Sequence, residues 1–496
     1  MSALQTHLPA LQVIVPMLSA PLVMLLRERQ LSWMLTTAAS LCAFAVAIAL
    51  TRQVLVVGEA NYLMGSWPAP YGIELSIDAM SALMLLIVTG ASSIALIAGA
   101  GSLNQQIESE RQPLFFSAWL LALAGFCGIL VTADAFNIFV FMEISSLASY
   151  VLVAGGPDRR ALPAVFKYLV MGTIGATFYL IGVGLIYLMT GTLNLEDMEL
   201  RIQEVADLKP ILIAAGFITI GLALKAAIFP LHVWLPNAYT YAPHVATVFL
   251  AACATKVSLY VLLRFDFFVF QPNLAGHDLQ FSYFLLPLSL LAILIASAVA
   301  MFEGNLKRLL AWSSVAQIGY ITLGASLVSM AGLTAGLLHL FNHALAKGAL
   351  FLTCACLAMS ITRLRIDSIG GVARQMPWTM GAFVLAGLSL IGVPGTAGFI
   401  SKWYLITAAF AWGPSGIALV AVIVVSSLMA VVYVWRVVEA AYFGKAVETQ
   451  AVGEAPLALL IPTWAVVLLN LYFGLFPGLP LELSSTAAEA LLGHLP

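Results

Sequence analysis

Apolar runs of about twenty residues follow one another along this whole sequence, interrupted only by short polar or Gly- and Pro-containing stretches. A helix of that length rises ~30 Å, the thickness of a bilayer's hydrocarbon core. Hydrocarbon offers no partner for backbone N–H and C=O groups, so such runs must satisfy them internally as crossing helices. Only 9% of the 496 residues are charged, against about 25% in soluble domains, which excludes a water-soluble fold. A net charge of −2 with no basic cluster excludes nucleic acid as a partner.

The runs fall near 9–26, 31–50, 79–100, 113–131, 135–154, 161–189, 210–230, 243–264, 282–302, 306–328, 331–359, 377–410, 415–442 and 456–476, which predicts an all-α polytopic membrane protein with about 14 crossings. Residues 1–8 carry no Lys or Arg ahead of the first run, so that segment is expected to remain as a helix rather than act as a cleaved signal. With the N-terminus outside, inner loops hold Arg27, Arg29, Arg111, Arg159, Arg160, Lys307, Arg308, Arg363, Arg365, Arg374, Arg436 and Lys445. Outer loops then hold only Arg52, Arg201, Lys209 and Arg264. This bias of positive charge predicts both termini outside.

Two outer loops are long enough for local structure. Ile73, Leu75 and Ile77 alternate with Glu74, Ser76 and Asp78, which suggests a short strand or hairpin, and the acidic stretch 194–209 suggests a surface helix. Neither carries a mechanistic signature. The five cysteines, Cys42, Cys127, Cys253, Cys354 and Cys356, lie in apolar segments without metal-type spacing and are expected to be small core residues.

Short matches repeat across the chain. Ser145-Ser146-Leu147-Ala148 is echoed by Ser313-Ser314-Val315-Ala316, and Gly175-Ala176-Thr177-Phe178 by Gly348-Ala349-Leu350-Phe351. An offset of five crossings is odd, so crossings 4–8 and 9–13 form two repeats of opposite orientation, as in inverted-repeat transporters. The expected organisation is 1–112 for the first three crossings with the outer hairpin loop, 113–265 and 282–445 for the repeats, and 456–496 for crossing 14 and a short tail.

Five ionisable residues sit inside crossings with apolar sequence on both sides: Glu143, Lys225, Lys256, Lys347 and Lys402. Each costs ~2.5 to 3.5 kcal/mol on insertion scales, so function is the default reading. One Glu and one Lys could form a purely structural ion pair, but three further lysines then lack an acidic partner within the crossings. A desolvated lysine can release its proton near neutral pH. A carboxylate ~4 Å away contributes ~4 kcal/mol at an effective dielectric of 20 towards the charged form. Moving Glu143 relative to Lys225 would therefore switch a proton between held and released.

Helix breaks accompany two of these lysines. Pro230 removes the partner of the Ala226 carbonyl after Lys225, and Pro394, in Gly392-Val393-Pro394-Gly395, does the same for Leu390 ahead of Lys402. Freed carbonyls at membrane depth invite water and point to a transport path, although a plain proline kink is the bland explanation. His339, His343 and Lys347 recur every four residues, a single stripe suited to proton hopping through interposed water. Two histidines without a nearby acid or Cys make a weak metal site, and nothing pairs them as haem ligands. His244, after Pro243, suits an inlet or a packing role; His232 is loop-adjacent and less informative. Asp134, before Ala135, reads as a helix N-cap. No Gly-rich phosphate loop, metal cluster or nucleophile–base arrangement suggests a stand-alone enzyme or a bound cofactor.

Glu143 in FMEISSLASY, KAAIFPLHVWLPNAYTYAP at 225–243, NLKRLLAWSSVAQIGY at 305–320, HLFNHALAKGALF at 339–351 and GVPGTAGFISKWYL at 392–405 together resemble the antiporter-like membrane subunits. These occur in respiratory complex I, Mrp-type cation/proton antiporters and membrane-bound hydrogenases, and the likeness spans about 70–445. The resemblance implies fourteen helices, two inverted five-helix repeats with broken crossings 7 and 12, and a lateral row of charges. By motif, Glu143 and Lys225 correspond to the family's ion pair, Lys256 to its central lysine, His339, His343 and Lys347 to its relay, and Lys402 to its terminal charge. Glu303 and Asn305 depart from the acidic residue expected just before the Lys-Arg pair.

The short stretch after crossing 14 lacks the long lateral helix or extended tail of the largest members, and Lys402 in place of Glu argues against the M-type complex I subunit. FKYLVMGTIGATFYLIGVGLIYLMTGTLNLEDM resembles the D branch of the Mrp group and its close hydrogenase-associated relatives. The resemblance implies a proton-translocating subunit of a hetero-oligomeric Na⁺ or K⁺/H⁺ antiporter in a bacterial inner membrane, with other membrane subunits, these ions and the lipid bilayer as partners. The rivals are a redox-driven pump subunit of a complex I-like or hydrogenase-like assembly, which would be part of a translocase, and a scaffold that moves nothing.

Overall fold

The computed structural model describes residues 6–26, 28–205, 209–271, 282–445 and 453–493. Arg27 and both extreme termini therefore lie outside the described residues. The first helices are α1 (Leu8–Leu26), α2 (Arg29–Val57), α3 (Ala79–Ser102), α4 (Gln112–Val131), α5 (Ala135–Ala154), α6 (Ala161–Thr190), the short α7 (Leu195–Ile202), α8 (Lys209–Ala226) and α9 (Leu235–Tyr241). There follow α10 (His244–Leu263), α11 (Ser282–Phe302), α12 (Leu306–Ser326), α13 (Met330–Ala358), α14 (Pro377–Ile391), α15 (Ala397–Ala411), α16 (Gly416–Phe443), α17 (Leu457–Leu475) and α18 (Gly478–Leu492).

Twelve described helices are long and apolar enough to cross a membrane. The continuous 21-residue α12 and the broken pair α14/α15 raise the crossings to the expected fourteen, with α8/α9 as the other broken one. The backbone reason is local in both breaks. α8 stops at Ala226, four residues before Pro230, and the Leu224 carbonyl accepts from the Trp234 indole at 2.9 Å as the chain turns back. α14 ends on Gly392 at φ 92°, a left-handed conformation that glycine tolerates.

The hairpin expected at 72–78 is present: β2 (Glu74–Ile77) pairs antiparallel with β1 (Ala60–Leu63), whose strand character the sequence did not announce. α7 is the expected surface helix, capped by the Asn194 side chain. Asp134 does cap α5, accepting from Asn137 N–H at 2.7 Å. The C-terminal stretch differs from the short tail expected. It folds as α18, which buries Leu483, Ala487 and Leu491 against α3 and α13.

Position in the bundle separates the helices. The crossing at 244–269 is wholly buried and that at 330–358 nearly so, whereas α2 and α16 are about one-third buried and form the perimeter. That placement corrects the expectation for Cys42, which is exposed on α2 while the other four cysteines are buried. An apolar run does not say which of its faces meets lipid and which meets protein.

Small residues set the close approaches. A Cβ on Gly175 would lie 2.8 Å from the Gly221 carbonyl oxygen, and one on Gly221 would lie 2.5 Å from that of Gly175. Backbone contact between α6 and α8 thus requires glycine on both sides, a packing mode that suits helices in lipid.

At one face of the bundle Asp78 caps α3, accepting from Ser81 N–H at 2.8 Å, and receives both Nη atoms of Arg264 at 2.8 and 3.0 Å. Burial pushes this carboxyl up, but the Arg264 charge and hydrogen bonds outweigh it and hold Asp78 below the ordinary aspartate value. A depressed carboxylate contributes stability that is present above its unfolded pKa, about 3.9, and lost as pH falls through the lower folded value. Asp78→Asn leaves Arg264 buried without its counter-charge and is expected to cost ~3 to 5 kcal/mol. Thermal unfolding in detergent should show a lower Tm for the variant at neutral pH, with the gap to wild type closing only under strong acid.

Candidate functional site

The face bearing Asp78 is closed by loops at 58–78, 132–134, 191–205 and 264–271, tied together by the Leu75–Thr132 and Asp134–Asn194 bridges. The opposite, second face carries loops at 103–111, 155–160, 242–243, 303–305 and 359–376, tied by Asn305–Arg365 and by the Gln106 side chain on His244 N–H. The ionisable residues singled out by sequence lie between these faces.

The row begins at Glu143. Lys225 Nζ, in the last turn of α8, donates to Glu143 Oε1 at 3.3 Å and to Ser146 Oγ at 2.7 Å. The Glu143 side chain keeps 28% exposure on α5 while that of Lys225 keeps 6%, so the carboxylate is the open end of the pair. Behind Lys225 lies a cavity of about 20 Å³, lined by Ser145, Ser146, Ser149, Tyr150 and, from α10, Ala254 and Ser258. That volume suits one water, and hydroxyls supply the two to four partners a water needs.

Lys256 lies between Ala254 and Val257 of that cavity's α10 wall, is 1% exposed, and donates to the Ala251 carbonyl of its own helix. No carboxylate partners it among the described residues. Its helix, α10, packs directly against α13, which carries His339, His343 and Lys347. The expected stripe on α13 is real. The rings of His339 and His343 are parallel at 6.3 Å, and Lys347 follows one turn on.

Each member of the stripe has a different environment. His339 Nδ1 lies 2.9 Å from Ser401 Oγ and its Nε2 lies 2.9 Å from Gln317 Oε1, which bridges α12, α13 and α15. His343 is 2% exposed with both ring nitrogens unpartnered among the described residues. Lys347 donates to the Leu310 carbonyl at 2.7 Å and to Ser313. Serines of the two matched Ser-Ser motifs, Ser146 and Ser313, therefore each hold a buried amine in their own half of the bundle.

Lys402 ends the row. Its Nζ donates to the Leu390 and Ile391 carbonyls at 3.1 and 2.9 Å and to Ser427 Oγ at 3.0 Å, and it stands 5.0 Å from the Tyr320 ring centroid. The carbonyls freed by the Gly392–Gly395 break are therefore taken by the amine itself, where the sequence suggested water. The C-terminal end of a half-helix carries partial negative charge, so it favours an ammonium. A Cβ on Gly392 would lie 2.9 Å from Lys402 Cδ and so crowd the stem of that amine.

His244 stands apart from the row at the second face, with its Nδ1 buried and unpartnered among the described residues. Three buried polar residues escaped the sequence reading. Lys307, counted with a loop, is 3% exposed in the first turn of α12 and donates to the Ala242 carbonyl at 2.7 Å. His232, read as loop-adjacent, is buried in the α8/α9 break between Phe229 and Trp312. Asp266 is 2% exposed with neither carboxylate oxygen hydrogen-bonded among the described residues. It lies in a π-helical turn, 264–269, that extends α10 beyond the expected end at 264. A run of aromatic residues around Asp266 was the available signal.

Residues 132–430 match the family described as NADH:quinone oxidoreductase/Mrp antiporter, TM. The N-type subunit of the NADH-quinone oxidoreductase of Desulforudis audaxviator is 41% identical over 456 residues, covering 91% of this chain and 89% of its own length. The D-type subunit of the Na(+)/H(+) antiporter of Bacillus subtilis is 29% identical over 485 residues, covering 97% and 96%. A chain in the Mrp complex of Dietzia sp. DQ12-45-1b superimposes with a TM-score of 0.89 at 27% identity, covering 99% of this chain and 98% of that one.

Proposed function

The chain belongs to the NADH:quinone oxidoreductase/Mrp antiporter transmembrane family, and from that premise we propose that it carries protons within a multisubunit Mrp-type antiporter exchanging Na⁺ or K⁺ for H⁺. The observation that carries this reading is the row of buried amines and imidazoles, of which only Lys225 has a carboxylate partner among the described residues. Glu143 and Lys225 hold or release a proton, a single-water cavity leads towards Lys256, and the α13 stripe leads on to Lys402. His244 stands at the second-face end of α10 as an inlet group. Pro230 and Pro394 provide the breaks at which the half-helices can shift.

The partly open Glu143 supports a neighbouring membrane subunit on the α5 side, because an ionised carboxylate facing lipid alone is costly. The excess of Lys and Arg on the second face supports placing that face in the cytoplasm of a bacterial cell, with both termini outside. The second reading, a redox-driven pump subunit, is favoured by the 41% identity to a subunit named for NADH-quinone oxidoreductase.

One experiment separates the two. Inverted vesicles carrying the intact complex are given a preformed pH gradient and then a pulse of Na⁺ or K⁺. Antiport collapses the gradient on the pulse. A redox-driven pump ignores the pulse and builds a gradient only when an electron donor is supplied.

A further inference from the structure

The second face contains a cavity of about 670 Å³ between the 157–160, 240–244, 305–307 and 358–365 segments. Four cationic side chains line it: Arg160, Lys307, Arg363 and Arg365. The one carboxylate in the wall, Asp158, is already held by Arg160 at 2.5 Å. Arg365 reaches the exposed Asp367 at 3.4 Å, and the Arg363 guanidinium has no partner among the described residues. Lys307 is only 3% exposed, and just one of its three donors is used, on Ala242. Arg160 and Arg308 further bracket the Tyr241 ring, at 4.9 and 5.7 Å from its centroid.

Two features of α10 add to this charge. Its 20-residue helix starts at His244 in the cavity wall, and its N-cap, Pro243, offers no side-chain cap, although Gln106 Oε1 takes the first N–H, that of His244, at 2.8 Å. The His244 Nδ1 is buried and unpartnered at the same place. A helix N-terminus of this kind carries partial positive charge and unsatisfied donors.

The bias of positive charge to this face does not account for Lys307, buried in the wall with a single hydrogen bond, and neither does passage of Na⁺ or K⁺, because positive charge lowers the local concentration of cations. A bound anion does account for it. We propose that this cavity binds a phosphate-type anion, with Arg363 and Lys307 on its oxygens and the α10 N-terminus facing its charge. Guanidinium offers paired donors to two phosphate oxygens and lysine a point charge, so the combination suits a tetrahedral oxyanion better than a halide. The same chemistry comes from an anionic phospholipid headgroup at the membrane surface or from dissolved phosphate.

Equilibrium dialysis of the purified complex in zwitterionic detergent tests this, with radiolabelled orthophosphate and radiolabelled short-chain phosphatidylglycerol as separate probes. Wild type is expected to retain at least one probe. Retention of phosphatidylglycerol alone assigns the site to a lipid headgroup, and retention of orthophosphate assigns it to dissolved anion. The double variant R363Q/R365Q, whose side chains are exposed, should weaken binding about tenfold or more, equivalent to ~1.4 kcal/mol. R111Q, on the same face but outside the cavity, should bind as wild type does. K307M serves as a second variant expected to weaken binding. No retained anion in wild type, or R363Q/R365Q binding equal to wild type, overturns the proposal. Binding is read without ion movement, so it can fail while the proposed transport stands, and the reverse.

Discussion

In inverted vesicles carrying the complex, Glu143→Ala and Lys225→Ala are each expected to abolish cation-induced dissipation of a pH gradient. Lys225 has two oxygen partners, Glu143 Oε1 and Ser146 Oγ, and only the first carries charge. Removing the carboxylate leaves a buried ammonium beside a hydroxyl; removing the amine leaves a carboxylate with nothing to exchange with. Breaking a buried pair costs ~3 to 5 kcal/mol, so loss of the assembled complex must be checked separately by size-exclusion chromatography. Glu143→Gln keeps the shape and the acceptor oxygen, and should assemble yet fail to transport. Exchange at the wild-type rate in both alanine variants would remove the proposed proton path, while an assembled wild type that moves nothing would favour the scaffold.

Lys402→Met is expected to lower transport by about a hundredfold or more, the range in which a positioned proton donor contributes. Assembly should survive, because an apolar side chain of similar length also removes the cost of burying an ammonium. Three acceptors lose their donor: the Leu390 and Ile391 carbonyls and Ser427 Oγ. Those carbonyls close the half-helix α14, so a modest fall in Tm accompanies the loss. Lys402→Arg keeps the charge but not the proton release, since guanidinium stays protonated, and it should transport no better than Lys402→Met. Equal rates for wild type and Lys402→Met would place the end of the row elsewhere.

The crossings were legible because twenty apolar residues without charge have one stable fate in hydrocarbon, and both helix breaks because proline cannot donate to the ladder. Glu143 was legible as the one acid among the five charged positions in apolar sequence, whereas its pairing with Lys225 was what the family resemblance implied. Lys307 was hidden because a lysine in a first helical turn ordinarily reaches water, and here Ala242 and the surrounding loops cover it. Asp266 was hidden because α10 runs on as a π-helical turn, which has no sequence period of its own.

By itself the sequence determined that this chain lives in a membrane, how many times it crosses, and some of the ionisable groups that must be sheltered there, since transfer into hydrocarbon depends on each segment's own composition. Only the tertiary structure decided what shelters them. Ser146 for Lys225, Ser313 for Lys347 and the severed end of α14 for Lys402 come from positions 79, 34 and 11 to 12 residues away. Likewise only packing turned Cys42 outward and gathered Arg160, Lys307 and Arg363 around one cavity. Which helix faces meet is set by close backbone approaches such as Gly175 on Gly221, and composition does not encode those contacts.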